Sequence, residues 1–392
     1  MLWRRLVGWL VVDDLVSVAS AALGVALSDP VSLAGSDRSA VLRCRSAVGG
    51  TVVIKSYPGT DEGAEGFTAE AAGLEFTTGV GVGPDLLAAD PQRRLIVMTD
   101  LGDAPSLADS LLASSPSAAK TALLDWACAC GELAVRTAGG GQAFAAALAR
   151  FQAGAKVDRP SAHWLERRIW LVPDLLARLS FTGPDGLAPD RLAPELAEVA
   201  ALLAPGPYEV FSPGDICPDN NLMTERGVRF IDFESAEFHS VFLDAAYLRM
   251  PFSSCWCVFA LPGELAAAAE GRYRDLVGGV YPDLADDEVW QRGLRLAMTA
   301  WTLHALTYLL EPSIVADGSM NPRATEAPTA RQLLRYRWAR LGAELDAAGD
   351  LPAVSALMRQ LLTSTETWSA GSLPLYPAFR VGLEQREGGA GG

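Results

Sequence analysis

Lysine and histidine are both scarce in this chain of 392 residues: among 32 basic side chains only Lys55, Lys120 and Lys156 are lysines, and the histidines are His163, His239 and His304. Against 47 acidic residues this leaves a net charge of −15. Nucleic acid is therefore not expected as a partner, because phosphate backbones are gripped by excess Lys and Arg. An acidic surface serves solubility first and attraction of a cationic substrate second. Cysteine is limited to Cys44, Cys128, Cys130, Cys217, Cys255 and Cys257. Two pairs are C-x-C, not the C-x-x-C of zinc ribbons or thioredoxin-like motifs, which argues against a structural zinc site. The thiols read as free and buried in a reducing compartment, the cytoplasm.

Long apolar runs are missing as well. Arg4 and Arg5 precede the run Leu6 to Val12, but Asp13 and Asp14 interrupt it, so it makes a poor secretory signal and a better helix packed on the first lobe. Leu296 to Leu310 contains His304 and is too short to span a bilayer, so it reads as a buried core helix and no membrane is expected as a partner. What is present in quantity is core material, with 50% hydrophobic and 20% charged residues. That suits a folded chain long enough for two lobes around a cleft.

The region from Val31 to Leu101 is rich in strand patterns. Val41 to Arg45 alternates, Gly49-Gly50 makes a turn, and Thr51 to Lys55 is β-branched. A helix is expected over Glu62–Thr78, then strands over Asp85–Ala89 and Arg94–Met98. On that helix Phe67, Glu70, Ala71, Leu74 and Thr78 share one face, while Glu62 and Glu65 point outward. A carboxylate on an apolar face demands a partner. Lys55 is the candidate for Glu70, with Glu75 as the alternative. After Gly102 the chain turns helical: Ser106–Ala113, Ser117–Thr137, Ala162–Leu179, Pro194–Leu203, Gly263–Val277, Glu288–Leu310, Thr329–Ala348 and Val354–Thr363. The tail from Glu387 reads as disordered. Sheet first and helices after is an α+β order. It divides the chain into a lobe at 1–102 and a helical lobe at 103–385.

One stretch breaks the helical pattern and carries chemistry. Pro213, Gly214 and Pro218 keep Asp215 to Asn220 in a loop that presents polar side chains. Leu222–Thr224 and Val228–Ile231 flank Glu225-Arg226-Gly227 and read as a tight hairpin. Its return would bring Asp232 beside Asn220. Two carboxylates and a carboxamide at one point suit phosphoryl transfer: one carboxylate for the attacking hydroxyl, the other with the amide for Mg²⁺.

Gly214-Asp215 through Asn220, followed by Phe230-Ile231-Asp232-Phe233-Glu234, resembles the catalytic loop and metal-binding Asp of the aminoglycoside phosphotransferase and choline kinase family. That pattern is H-G-D-x-x-x-x-N and then I-D-[FW]-[EG]. The resemblance implies a two-lobed, protein-kinase-like α+β fold, with a small antiparallel sheet and one helix before a large helical lobe. It implies Asp215 as the catalytic residue, Asn220 and Asp232 as Mg²⁺ ligands, and Lys55, held by Glu70, on the phosphates of ATP or GTP. Asp244 in Leu243-Asp244-Ala245 resembles the aspartate that supports the loop, with a plain helix N-cap as the alternative. Gly35 and Ser36 could form the loop over the phosphates or a simple turn. Thr99 and Leu101 fall where the family's hinge meets the purine. Pro213 departs from the pattern, standing where the family has His.

The function implied is ATP-dependent phosphorylation of a hydroxyl on a small polar molecule, such as an aminoglycoside-like antibiotic or amino sugar, by a monomer or homodimer. A choline, homoserine or ketosamine kinase and a nucleotide-binding pseudokinase are the alternatives.

Overall fold

The structure, a computed structural model, describes residues 12–33, 38–152, 164–179, 189–252, 255–321 and 327–380. The expected phosphate loop at Gly35 and Ser36, the run Leu6 to Val12 apart from its last residue, and the tail from Glu387 lie outside them. The chain opens with α1 (Val12–Leu23) and three antiparallel strands, β1 (Leu27–Ser32), β2 (Ala40–Ser46) and β3 (Thr51–Ser56). Then come α2 (Asp61–Thr77), β4 (Leu86–Asp90) and β5 (Leu95–Thr99). The sheet order is β1-β2-β3-β5-β4, antiparallel throughout.

Alternation along these strands decides what faces the cleft. Successive side chains on a strand point to opposite faces. Leu42 and Cys44 of β2, Val52 and Ile54 of β3, and Leu95 and Val97 of β5 gather beneath Leu15 and Ala19 of α1 in one apolar layer. The other parity, Val41, Val53, Lys55 and Met98, lines the opposite side. Lys55 therefore reaches the cleft because Ile54, one residue earlier, is committed to the layer under α1.

The remaining helices are α3 (Leu107–Leu112), α4 (Pro116–Thr137), α5 (Gly141–Phe151), α6 (Trp164–Ile169), α7 (Val172–Arg178), α8 (Pro189–Leu203), α9 (Val241–Arg249), α10 (Gly263–Gly278), α11 (Asp287–Val315), α12 (Ala330–Ala348) and α13 (Pro352–Ser364). Two short antiparallel pairs sit among them. One joins β6 (Glu209–Ser212) to β9 (Glu237–Ser240), and the other is the hairpin of β7 (Asn221–Thr224) and β8 (Gly227–Phe230). A five-stranded sheet followed by a mainly helical body is the expected α+β order. Leu296 to Leu310 lies within α11, whose Leu303, Ala305, Leu306 and Leu310 have no exposed surface. No helix among the described residues is long and apolar enough to cross a membrane.

Several details differ from the sequence expectation. The stretch Ala162–Leu179 is broken in its described part into α6 and α7, with Trp170 and Leu171 in a turn and Pro173 in the first turn of α7. α5 was not foreseen, because Gly139-Gly140-Gly141 suggests only a break; the Ala-rich run beyond it is a strong helix former, and Phe144 and Ala147 are buried. α9 escaped because every residue from Val241 to Leu248 is buried, so no polar face marks a period. β1 lacks alternation: Asp29 has φ 52° and the register shifts between Ser28 and Val31, features an edge strand tolerates. On α2, Thr78 is the C-cap and exposed, and Thr77 is the buried residue instead.

Candidate active site

β6 delivers the chain to Gly214, where φ is 86° and a Cβ would stand 2.1 Å from the carbonyl oxygen of Ser235. Only glycine meets both constraints. Asp215 follows. One of its carboxylate oxygens accepts the Cys217 N–H at 3.2 Å, a turn in which the side chain replaces a backbone acceptor. Burial pushes the Asp215 carboxyl upward, with Asp232 and Asp219 adding to the rise and the Cys217 hydrogen bonds opposing it. Pro218–Asn220 form a single 3-10 turn. From it the Asn220 amide nitrogen donates to the Asp215 carbonyl at 3.1 Å, and Asn221 donates to the carbonyls of Ile216 and Cys217. Carboxamides thus tie both ends of the loop.

The hairpin pairs Asn221 with Phe230 and Thr224 with Gly227. One residue further, the Ile231 N–H donates to the Asn220 carbonyl at 2.9 Å. That bond sets Asp232 next to Asn220 although twelve positions separate them. Asp232 takes a left-handed backbone, φ 69°. Such a conformation costs about 1–2 kcal/mol for a residue with a side chain.

Opposite it stands Lys55. Its Nζ lies 2.7 Å from Glu70 Oε2, 2.5 Å from Asp232 Oδ1 and 3.9 Å from Glu234 Oε2. The Tyr57 hydroxyl donates to the same Glu70 oxygen at 2.8 Å. Glu75, the alternative partner, pairs with Arg150 instead. Burial works against the Lys55 ammonium, but Glu70, Asp232 and Glu234 raise its pKa above the ordinary lysine value. Glu234, also paired with Arg38 at 2.8 Å, is pushed up to about 6 by burial and by Asp232. Among the described residues the cations paired with Asp232, Glu70 and Glu234 are Lys55 and Arg38, and Asp215 adds a further carboxyl close to Asp232. This surplus of negative charge, and a donor set of carboxylate and carboxamide oxygens, suits a small hard divalent cation. Asn220 has spent its nitrogen on Asp215, which leaves its oxygen as the donor.

Behind the loop lies a second buried pair. His239 Nε2 is 2.9 Å from Asp244 Oδ1, and Ser212 Oγ donates to the same oxygen at 3.1 Å. Ser212 Oγ in turn accepts the Gly214 N–H at 3.1 Å. Asp244 lies inside the first turn of α9, whose N-cap is Ser240, so the plain N-cap alternative does not hold. Burial tends to lower the His239 pKa, but Asp244 and Glu237 raise it to about 10, so the imidazole is cationic at neutral pH. Sequence reading missed His239, Ser212, Tyr57 and Glu234. Glu234 closes the quoted I-D-[FW]-[EG] stretch and Ser212 lies two residues before Gly214, so these two stood within reach of the motif, whereas His239 and Tyr57 did not.

Between the lobes opens a cleft of about 850 Å³ lined by Lys55, Glu70, Asn220 and Asp232. Val41 and Val53 bound it on the sheet side, and Leu222 and Ile231 on the helical side, leaving an apolar slot fit for a flat ring. Thr99 and Leu101 are at its rim. The Thr99 N–H is spent on the Asp85 carbonyl at 3.0 Å and its hydroxyl on the Asp85 N–H at 2.9 Å, so it cannot serve a ligand as a backbone donor. Asp100 pins this corner through Arg43 at 3.0 Å, Thr51 at 2.6 Å and the Gly102 N–H at 2.9 Å.

Residues 121–286 match the family model described as the phosphotransferase enzyme family. No curated protein matches the chain. Among solved structures, a choline/ethanolamine kinase family protein from Mesorhizobium loti is similar at 17% identity, over 85% of this chain and 92% of that one, with a TM-score of 0.47. A macrolide 2'-phosphotransferase from Brachybacterium faecium is similar at 17% identity, over 77% and 93%, with a TM-score of 0.48. A choline kinase from Cryptosporidium parvum is similar at 11% identity, over 88% and 99%, with a TM-score of 0.49.

Proposed function

We propose that this chain, whose residues 121–286 match the phosphotransferase enzyme family model, transfers the γ-phosphoryl group of ATP to a hydroxyl of a small polar molecule, an amino sugar or aminoglycoside-like compound being the first class to test. The observation that carries the reading is the gathering of Lys55, Asn220 and Asp232 around one cleft, with Asn220 tied to the Asp215 backbone and the Asp215 carboxyl close enough to Asp232 to be raised by it.

In this reading Asp215 accepts the proton of the attacking hydroxyl. Its burial raises its affinity for that proton. The hydroxyl oxygen bonds to the γ-phosphorus as the bond to the β,γ-bridging oxygen breaks, and ADP carries the leaving charge. Lys55, oriented by Glu70, holds the phosphates, and the slot between Val53 and Ile231 takes the purine. Asn220 and Asp232 would hold Mg²⁺, which when bound neutralises phosphate charge. Asp244 and His239 act through Ser212 to hold Gly214, and so Asp215, in place. That bracing comes from β9 and α9, and it answers the absence of histidine at Pro213. We assign the nucleotide to the lobe at 1–102 and the acceptor to the one at 103–385.

Transfer of radiolabelled γ-phosphate to a panel of amino sugars, aminoglycosides and amino alcohols tests this. Asp215→Ala should abolish transfer and spare ATP binding, whereas Asp232→Ala should weaken both. Nucleotide binding with no acceptor phosphorylated, or equal mild effects of both variants, would count against the assignment.

A further inference from the structure

Three cysteines left unused by the proposed chemistry converge behind the catalytic loop. Cys217 and Asp219 flank Pro218 within the loop, and Cys255 and Cys257 come from the segment after α9. The Sγ atoms of Cys217 and Cys255 and a carboxylate oxygen of Asp219 all lie within 4.8 Å of one another. Cys257 Sγ is 2.8 Å from Cys255 Sγ. The three thiols are buried, with Cys217 and Cys255 each 3% exposed and Cys257 1% exposed, while Asp219 is half-buried.

We propose that Cys217, Asp219 and Cys255, with Cys257 as fourth donor, bind a thiophilic divalent cation, zinc in the first place. Three thiolates and one carboxylate form a set that favours zinc over magnesium or calcium, which take oxygen ligands. Tetrahedral zinc with sulfur at about 2.3 Å separates its donors by roughly 3.5–4 Å, close to the spacing here. Cys257 stands outside that group of three, so to become the fourth donor its sulfur must move away from Cys255 Sγ, now 2.8 Å distant, and toward Cys217 and Asp219. The Asp219 carboxylate already points the right way, since Trp256 Nε1 donates to Oδ2 at 2.7 Å and Oδ1 faces Cys255 Sγ at 3.8 Å. An outer hydrogen bond of this kind fixes a ligating carboxylate. Cys217, Cys255 and Cys257 are all free thiols, so each sulfur is available as a ligand. Binding releases the thiol protons to solvent and involves no redox change. The cation would staple the segment at 255–257 to the loop that carries Asp215 and Asn220. A linear reading of the C-x-C spacing misses the site, because the third thiol lies 38 positions from Cys255.

The test uses the full chain, stripped with a chelator under reducing conditions and then titrated with Co²⁺ and Zn²⁺. The expected result is one equivalent of zinc surviving desalting, an intense thiolate-to-cobalt charge-transfer band, and zinc protection of three thiols from alkylation. Cys217→Ser and Asp219→Asn should each weaken zinc binding by about tenfold or more, and Cys128→Ser, on α4, should not. Circular dichroism checks that the variants fold, and the alkylation readout on the unaltered chain does not depend on them. Absence of the charge-transfer band and of zinc protection would overturn the proposal. So would a Cys255–Cys257 disulfide found by peptide mass mapping of the untreated protein. None of these readouts requires kinase activity, so the site stands or falls separately from the proposed function.

Discussion

His239 and Asp244, five positions apart on β9 and α9, form a buried pair at 2.9 Å whose carboxylate also holds Ser212. Through Ser212 the pair reaches the backbone of Gly214, one residue before Asp215. Two elements that the sequence reading did not foresee thus fix the residue on which the proposed chemistry turns.

Replacing His239 with Gln should leave Asp244 buried without a cation. The expected loss is about 3 kcal/mol at neutral pH. Its pH dependence is the sharper test. His239 has its folded pKa raised to about 10 from 6.5, so its stabilisation is complete below pH 6.5 and fades as pH rises through 10. Denaturant melts of both proteins from pH 6 to 10.5 should show the gap closing at the alkaline end. A gap that is constant with pH would mean the imidazole is neutral.

Gly214→Ala meets two obstacles at once, the left-handed backbone and the Ser235 carbonyl at 2.1 Å. The conformational part alone is about 1–2 kcal/mol. The clash must also displace either the loop or the segment after Asp232. We expect a lower thermal midpoint together with loss of phosphoryl transfer, whereas Gly227→Ala, which shares the positive φ (95°) but whose Cβ meets nothing closer than 3.6 Å, should lower the midpoint by the conformational part alone and leave transfer intact. Steady-state assays on the two variants decide it.

Lys55→Met should destabilise the chain by about 3–5 kcal/mol, since it strands Glu70 in the core. Adding Glu70→Leu should recover most of that stability, because an apolar pair of similar size replaces a buried ion pair. Nucleotide affinity should not recover. Calorimetry with ATP alongside chemical denaturation separates the two effects, and recovered affinity in the double variant would dismiss Lys55 as a phosphate ligand.

Glu234 offers a test of the crowded carboxylates. Its folded pKa is raised to about 6 from 4.5, so its favourable contribution is complete below pH 4.5 and is lost as pH climbs through 6. Over that window the parent should lose stability relative to Glu234→Gln. The opposite trend in paired thermal melts would mean that Arg38 outweighs Asp232.

The hairpin and its neighbours were legible because their signals are local: prolines and a glycine fix the loop, and a short turn brings Asp232 back to Asn220. Lys55 and Glu70 were legible through strand ending and helical face. His239 was not, since a lone histidine on a four-residue strand carries no period, and its partner lies on a helix without a polar side. The gathering of Cys217 with Cys255 and Cys257 was equally hidden, because only tertiary packing brings the two segments together. Thr99 shows the reverse limit. Its position at the cleft follows from the sequence, but the commitment of its N–H to Asp85 depends on a strand partner that local patterns do not reveal.

The parity of β3 has a consequence for how this lobe can vary. Whether residue 55 meets the cleft or the layer beneath α1 depends on an odd or even count from the turn at Gly49-Gly50. Losing a single residue between 51 and 54 would turn the ammonium into a greasy layer and swing an isoleucine toward the carboxylates. Substitutions within the strand are graded in their effect, but a change of length there is all or nothing, so insertions and deletions belong in the exposed turn.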